Sequence, residues 1–390
     1  MATQASIVVL APIIVAVGDD LGASVSAVGQ ARAVLAATAA LAALAIGPLI
    51  DRLGVRPLIV GGSSLALVGL TATALAPSLA AFYAAHAVVG LGVASLLSAG
   101  FAGVGAWFPD SEGPWAMGYV VGSQSIAWIA GAPLIGLLSD AGSWRLAYLV
   151  PGAVALAALV AGLLAPPGKA GLPPRAQAPD ERGGLLGVLA DPSARRWATA
   201  ELVAYAAWTA ELTYAGAFYV KTYGVSTSAV GLLLAAGSVA FLIATLSTHA
   251  IARRTGRRRA IVAGSLLMGA FLAVILNVTP SVWFTLALFF VMALCAGVRS
   301  TGSSALGLSQ LPAQPGSMMA ARTAAAQLGY MVGAVAGGAV LALSGFGALG
   351  FVLFGGMAFA ALLVTRVRDP LAYAAPRPWT TKPSATDSTA

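Results

Sequence analysis

Charge is what this chain has least of: Asp, Glu, Lys and Arg together make up 9% of its 390 residues. An ordinary soluble domain carries roughly 25%. With 59% hydrophobic residues, there is too little polar side chain to coat a water-soluble particle of this size. A soluble enzyme is excluded on composition. Cysteine is nearly missing as well. The single thiol, Cys295, lies inside an apolar run, so no internal disulfide and no cysteine-based metal site can form, and it reads as a small core filler. The two histidines, His86 and His249, stand far apart without metal-ligand spacing. There is no GxxxxGK[ST] run to cradle a nucleotide, so ATP is not expected to drive this protein. No cofactor is expected, and no nucleophile-and-base set suggests an enzyme.

What charge there is has one sign in excess, with 21 Lys+Arg against 13 Asp+Glu and a net charge of +8. The cations punctuate apolar runs instead of gathering on one face with aromatic companions, so nucleic acid is not the expected partner. The bilayer is. Runs able to cross it, at about 20 residues each, fall at 3–18, 25–49, 57–76, 79–104, 115–138, 146–165, 197–220, 226–248, 259–277, 281–305, 318–343 and 347–365. The expectation is an all-α polytopic membrane protein with twelve transmembrane helices. The first run is short and lacks the basic start of a signal peptide. It is read as a span missing its outermost turns, not as a cleaved leader.

Lys and Arg are retained on the cytoplasmic side of a membrane. With both termini inside, the cytoplasmic segments hold sixteen of the 21 Lys+Arg, leaving Arg145 and Lys221 outside and Arg32, Arg299 and Arg322 within spans. One cytoplasmic loop, FPDSEGP at 108–114, departs from the pattern, carrying Asp110 and Glu112 and no cation. The longest polar interruption is rich in Pro, Gly and charge. The expected organisation is a six-helix bundle at 1–165, a cytoplasmic linker at 166–194, a second six-helix bundle at 195–365, and a disordered cytoplasmic tail at 366–390.

The two halves repeat one another. Aligning DRLGVRPLIVGG from position 51 with RRTGRRRAIVAG from position 253 superposes Arg52 on Arg254, Gly54 on Gly256 and Arg56 on Arg258, an offset of 202 positions. The same offset places Gly131 on Gly333 and Gly136 on Gly338. Many transporters are built from such repeats around a central site.

The loop GPLIDRLGVRP resembles the GxLxDRxGRR motif of the major facilitator superfamily. Gly47, Leu49, Asp51, Arg52, Gly54 and Arg56 match, and Val55 stands where the family has a cation. The resemblance implies two pseudo-symmetric six-helix bundles and a gating cluster, with Asp51 facing the start of span eleven near Gly316 and Ser317. Asp110 or Glu112 is then expected to receive Arg52 or Arg56. Span five, GYVVGSQSIAWIAGAPLIG, is similar to the family's antiporter motif at Gly122, Gly131, Pro133 and Gly136, with Ala132 in place of a glycine. In span four, His86 and Val89 stand where the family often has Arg and Gln.

Ionisable groups inside a bilayer cost a few kcal/mol each and usually face a cavity or a partner. Six stand out: Arg32, His86, Glu201, Glu211, Arg299 and Arg322. The two glutamates are ten residues apart on span seven, about 15 Å, too far to act as one pair. Arg32 and Glu211 match in depth and are expected to pair when the outer gate closes, with protonation of Glu211 coupling transport to protons. Glu201, Arg299 and Arg322 read either as a buried structural triad or as a subsite for an anionic group. Tyr205, Trp208, Tyr214 and Tyr219 on span seven offer stacking faces nearby. The functional expectation is a monomeric, proton-coupled transporter in a bacterial-style inner membrane, exporting a drug-like or metabolite solute. The rival readings are an importer of a small organic anion, favoured if the three buried arginines converge, and a non-transporting sensor.

Overall fold

The computed structural model describes residues 1–108, 112–166, 185–312 and 315–369, and among these every regular element is helical. In chain order they are α1 (Ala2–Val8), α2 (Leu10–Asp20), α3 (Val25–Leu53), α4 (Val55–Ala74), α5 (Leu79–Trp107), α6 (Gly113–Ile129), α7 (Gly131–Ala141), a 3-10 turn at Leu146–Tyr148 leading into α8 (Leu149–Leu164), α9 (Leu185–Ala190), α10 (Pro192–Tyr223), α11 (Thr227–Thr255), α12 (Arg257–Asn277), α13 (Val282–Leu308) and α14 (Pro315–Thr365).

Among the described residues, eight helices are long and apolar enough to cross a membrane, or nine if the bent pair α1 and α2 is one span. The difference from twelve runs has local causes. α14 holds two runs joined without a loop, breaking at Gly345 with φ 78°, a backbone conformation that glycine adopts without penalty. α10 is 32 residues long but carries Glu201 and Glu211 in its interior. Span five is split at Ala130 into α6 and α7, because Pro133 has no N–H to give the Ile129 carbonyl and its ring crowds that oxygen. Pro12 does the same to Val8, where α1 and α2 meet at 44°. The most apolar windows are only 28–50% buried in protein, and Leu164 and Leu343 stand 80% and 85% exposed. Such a surface is stable against lipid and not against water.

The repeat is visible in the details of the helix ends. Ser24 and Ser226, 202 positions apart, each cap a helix by accepting an N–H three residues on, from Ala27 at 3.1 Å and Ala229 at 3.3 Å. Gly22 and Gly224 take φ of 60° and 64°, and Gly54 and Gly256 take 81° and 84°. Arg56 donates to the Gly162 and Leu163 carbonyls at 3.3 and 2.7 Å, at the end of α8. Its counterpart Arg258 donates to the Val367 carbonyl at 3.2 Å, just beyond α14. Both supply a cation to the negative end of a helix and satisfy carbonyls there.

The tail was expected to be disordered from 366, but its first residues are anchored. Val367 and Asp369 are buried, Asp369 pairs with Arg257 at 2.5 Å, and Arg368 pairs with Asp191 at 2.5 Å. Partial burial pushes the Asp191 carboxyl up, but the Ala194 N–H and Arg368 outweigh it and hold it below the ordinary aspartate value. These contacts follow from the short helix end: four orphan carbonyls and a basic loop lie within reach of the chain. Residues 370–390 lie outside the described residues.

The loops divide the bundle into an arginine-rich end, holding Arg52, Arg56 and Arg253 to Arg259, and an arginine-poor end. The halves meet in two equivalent seams, α3 along α14 and α7 along α11. In the first, Ser26 donates to the Gly338 carbonyl at 2.6 Å and Gln30 to the Ala334 carbonyl at 3.2 Å. In the second, a Cβ on Gly136 would stand 2.6 Å from Ser228 Cα, so only glycine fits. Asp140 accepts the Thr227 and Ser228 N–H groups at 3.2 and 2.7 Å, placing an anion on the positive end of α11. Among the described residues, every one of these hydrogen bonds between the halves lies toward the arginine-poor end. At the other end, Leu246 lies five full turns from Ser228 and is 77% exposed, and Leu41 lies three turns from Gln30 and is 70% exposed. The hydrogen bonds described above close the seams between the halves at the arginine-poor end.

Candidate functional site

The site is assembled on α10. Its Glu201 is fully buried, a placement a carboxylate tolerates only with a partner. Arg299 of α13 supplies one in a buried ion pair, and the Ser303 hydroxyl, one turn on, donates to the same Oε1 at 2.9 Å. Trp197, one turn earlier on α10, donates to the Ser303 carbonyl at 2.9 Å and so fixes the hydroxyl's position. The second carboxylate oxygen, Oε2, is buried without a protein partner.

One turn further along α10, Tyr205 sits between two cations. Arg299 lies 5.9 Å and Arg322 5.8 Å from its ring centre, both within cation–π range. The Arg322 Nη2 also donates to the Tyr205 hydroxyl at 2.7 Å. Tyr330, on α14, meets Tyr205 edge to face at 5.5 Å. On the far side of Tyr330 stands Arg32, from the first half, 5.4 Å from the ring centre. Arg32 Nη1 donates to the Ile7 carbonyl at 3.0 Å. The result is a track of guanidinium and phenol groups, with the Tyr205 and Tyr330 rings in contact between the cations, that crosses from one half to the other. It holds three arginines and one carboxylate. The Nε atoms of both Arg32 and Arg322 are buried without a protein acceptor, an arrangement that costs free energy unless a bound group completes it.

Arg32 and Glu211 do not pair, although the arginine-poor end is closed. Depth matches but direction does not: Arg32 lies against Leu212 and Thr213 of α10, whereas Glu211 points into the second half. Successive helix residues are turned by 100°, so neighbours at one depth face different partners. His86 is a packing residue. Its Nδ1 bonds the Phe82 carbonyl at 2.9 Å and its ring rests on Phe82 at 4.4 Å. Of the other span-seven aromatics, Trp208 packs on Phe241 and Tyr214 donates to the Ala334 carbonyl at 2.9 Å.

In the gating loop, Arg56 is committed to the end of α8 and is not held by Glu112, which is exposed and pairs with no cation among the described residues. The carbonyls of α8 are nearer and already carry the negative end of a helix dipole. Arg52 is exposed. Asp110 and the side chains at Gly47 and Asp51 lie outside the described residues. Of the described span-five glycines only Gly136 sits against backbone, for Gly122 has open space beside it and Gly131 makes ordinary contact. Tyr330, Ser303 and Asp140 carry no signal in sequence as isolated residues. Tyr330 was traceable only as an aromatic two turns beyond Arg322.

The family model of the Major Facilitator Superfamily matches residues 1–227 and again residues 197–388, so it matches each repeat in turn. A galacturonate transporter of Dickeya chrysanthemi is 36% identical over 84 residues, 22% of this chain and 24% of that protein. The transcription regulatory protein OpdE of Pseudomonas aeruginosa is 28% identical over 264 residues, 67% of this chain and 64% of that protein. The matches therefore span less than two thirds of either relative. With the two family-model matches covering both halves, the all-helical architecture and the internal repeat, the chain belongs to the Major Facilitator Superfamily.

Proposed function

We propose that this protein is a secondary transporter that carries a small organic anion through the bilayer by alternating access, coupled to protons. The observation that carries this reading is the convergence of Arg32, Arg299 and Arg322 on the Tyr205 and Tyr330 rings, with Glu201 as the single carboxylate among them. An excess of guanidinium with unfilled donors suits a carboxylate or phosphate, which arginine recognises with directed hydrogen bonds. It disfavours the lipophilic cations among drug-like solutes. The similarity to a galacturonate transporter, whose named solute is a sugar acid, points the same way.

Coupling follows from the same residues. While Glu201 is ionised it occupies Arg299; a proton on Glu201 releases Arg299 to the solute. Anion and proton then favour each other's binding, which is the condition for moving together, and an inward proton gradient drives uptake. On this reading the distribution of Lys and Arg puts the arginine-rich end in the cytoplasm, so that the closed, arginine-poor end faces outward. Equilibrium binding to the purified protein tests the site: galacturonate should bind saturably and neutral galactose should not, and equal binding of the two would dismiss an anion site. The similarity to OpdE, named as a transcription regulatory protein, favours one other reading, a membrane receptor that binds the same anion and signals instead of transporting it. Flux into vesicles separates the two.

A further inference from the structure

Glu211 belongs to neither the anion track nor any ion pair among the described residues. It is 7% exposed, and its Oε2 is buried without a hydrogen-bond partner. It lines a small pocket between α10, α12, α13 and α14, within the second half and toward the arginine-poor end. The rest of the lining is apolar and strongly aromatic: Phe218, Tyr219, Phe289 and Phe346 all face it. The Tyr219 hydroxyl is a second buried polar group without a partner. Phe218 meets Tyr219 and Phe346 edge to face at 5.7 and 5.4 Å, and Tyr219 meets Phe289 at 6.4 Å, so the rings hold one another in place around the carboxylate.

We infer that this pocket is a second ligand site, distinct from the anion track, which takes an organic ammonium ion. The chemistry is complementary at three levels. The carboxylate supplies the countercharge that an isolated buried anion itself requires. The ring faces supply cation–π attraction, which strengthens when water is excluded. The Tyr219 oxygen accepts an N–H from the ligand, and the leucine and isoleucine lining receives its apolar body. A hard metal ion is a poor match, because such ions take six or more oxygen ligands and the lining side chains offer oxygens from Glu211, Tyr214 and Tyr219 alone, of which Tyr214 already donates to the Ala334 carbonyl. The arginine track repels cations, so the two sites sort ligands by sign. Both meet on α10, with Glu201 and Glu211 ten residues apart on that helix.

The test uses the full-length protein in nanodiscs and benzylammonium as the probe, with benzyl alcohol as its neutral counterpart. Benzylammonium should bind saturably and benzyl alcohol should not. Glu211→Gln should weaken benzylammonium by at least about tenfold. Phe289→Leu, which keeps apolar bulk but removes a ring face, should weaken it by about threefold. Arg322→Gln should leave it unchanged, and excess galacturonate should not displace it. A monodisperse elution profile and an unchanged melting temperature identify variants that have folded, and Phe289→Leu remains informative if Glu211→Gln does not. The inference is overturned if benzyl alcohol binds equally, if both pocket variants bind like the parent, if galacturonate displaces the probe competitively, or if the parent protein shows no saturable binding.

Discussion

Replacing Glu201 by Gln separates the two roles of the buried pair. In the present structure Arg299 and Ser303 both address Glu201 Oε1, so an incoming anion must take Arg299 from an existing partner. A charge-assisted hydrogen bond contributes about 1.5–3 kcal/mol, and every 1.4 kcal/mol is about tenfold in affinity. The variant keeps the shape and loses the competing charge, so galacturonate should bind roughly ten- to a hundredfold more tightly at neutral pH. The empty protein should lose about 3–5 kcal/mol of stability, the cost of an uncompensated buried charge, and saturating anion should restore much of it. Calorimetric titration with galacturonate reads the affinity, and thermal unfolding with and without the anion reads the stability. An unaltered affinity together with an unaltered stability would refute the role given to Glu201.

Three further outcomes follow from other parts of the structure. Arg322→Gln removes a free donor and one cation from the track, and should weaken galacturonate by about tenfold while leaving the melting temperature within a few degrees. Gly136→Val places side-chain atoms against the α11 backbone at Ser228; overpacking of about 1–3 kcal/mol should shift the protein toward opening at the arginine-poor end, read as faster thiol labelling of a Ser26→Cys reporter in a Cys295→Ser background. Arg56→Ala and Arg258→Ala should each cost about 1 kcal/mol and lower the melting temperature alike, because the two residues do equivalent work in the two repeats.

The fold was legible because a bilayer imposes one constraint on every span: about 20 apolar residues with their backbone bonds satisfied internally. The repeat was legible because Gly54 and Gly256 must both take positive φ and Arg56 and Arg258 must both reach a helix end. Helix breaks were harder. Pro133 and Pro12 are plain in sequence, yet whether a proline bends a span or starts a new helix depends on the packing around it. The site was half legible. Buried charge picked out Glu201, Arg299, Arg322 and Arg32, because such residues are too costly to keep without purpose. Their pairing was not, since partners on different helices are chosen by rotation about each axis as well as by depth. That is why Arg32 finds the Tyr330 ring and Ile7 carbonyl instead of Glu211. Tyr330 carries no charge to mark it, and only the three-dimensional arrangement shows that its ring joins the two halves of the track.

The central claim is that the arginine track carries an organic anion together with a proton. Purified protein in sealed liposomes, with an inward proton gradient imposed and radiolabelled galacturonate outside, tests it directly. The account predicts accumulation above equilibrium that collapses with a protonophore and is lost in Arg322→Gln, while Glu201→Gln retains exchange but no longer responds to the gradient. Absence of galacturonate movement in the parent protein under both gradient and exchange conditions, or accumulation indifferent to the protonophore, would contradict it.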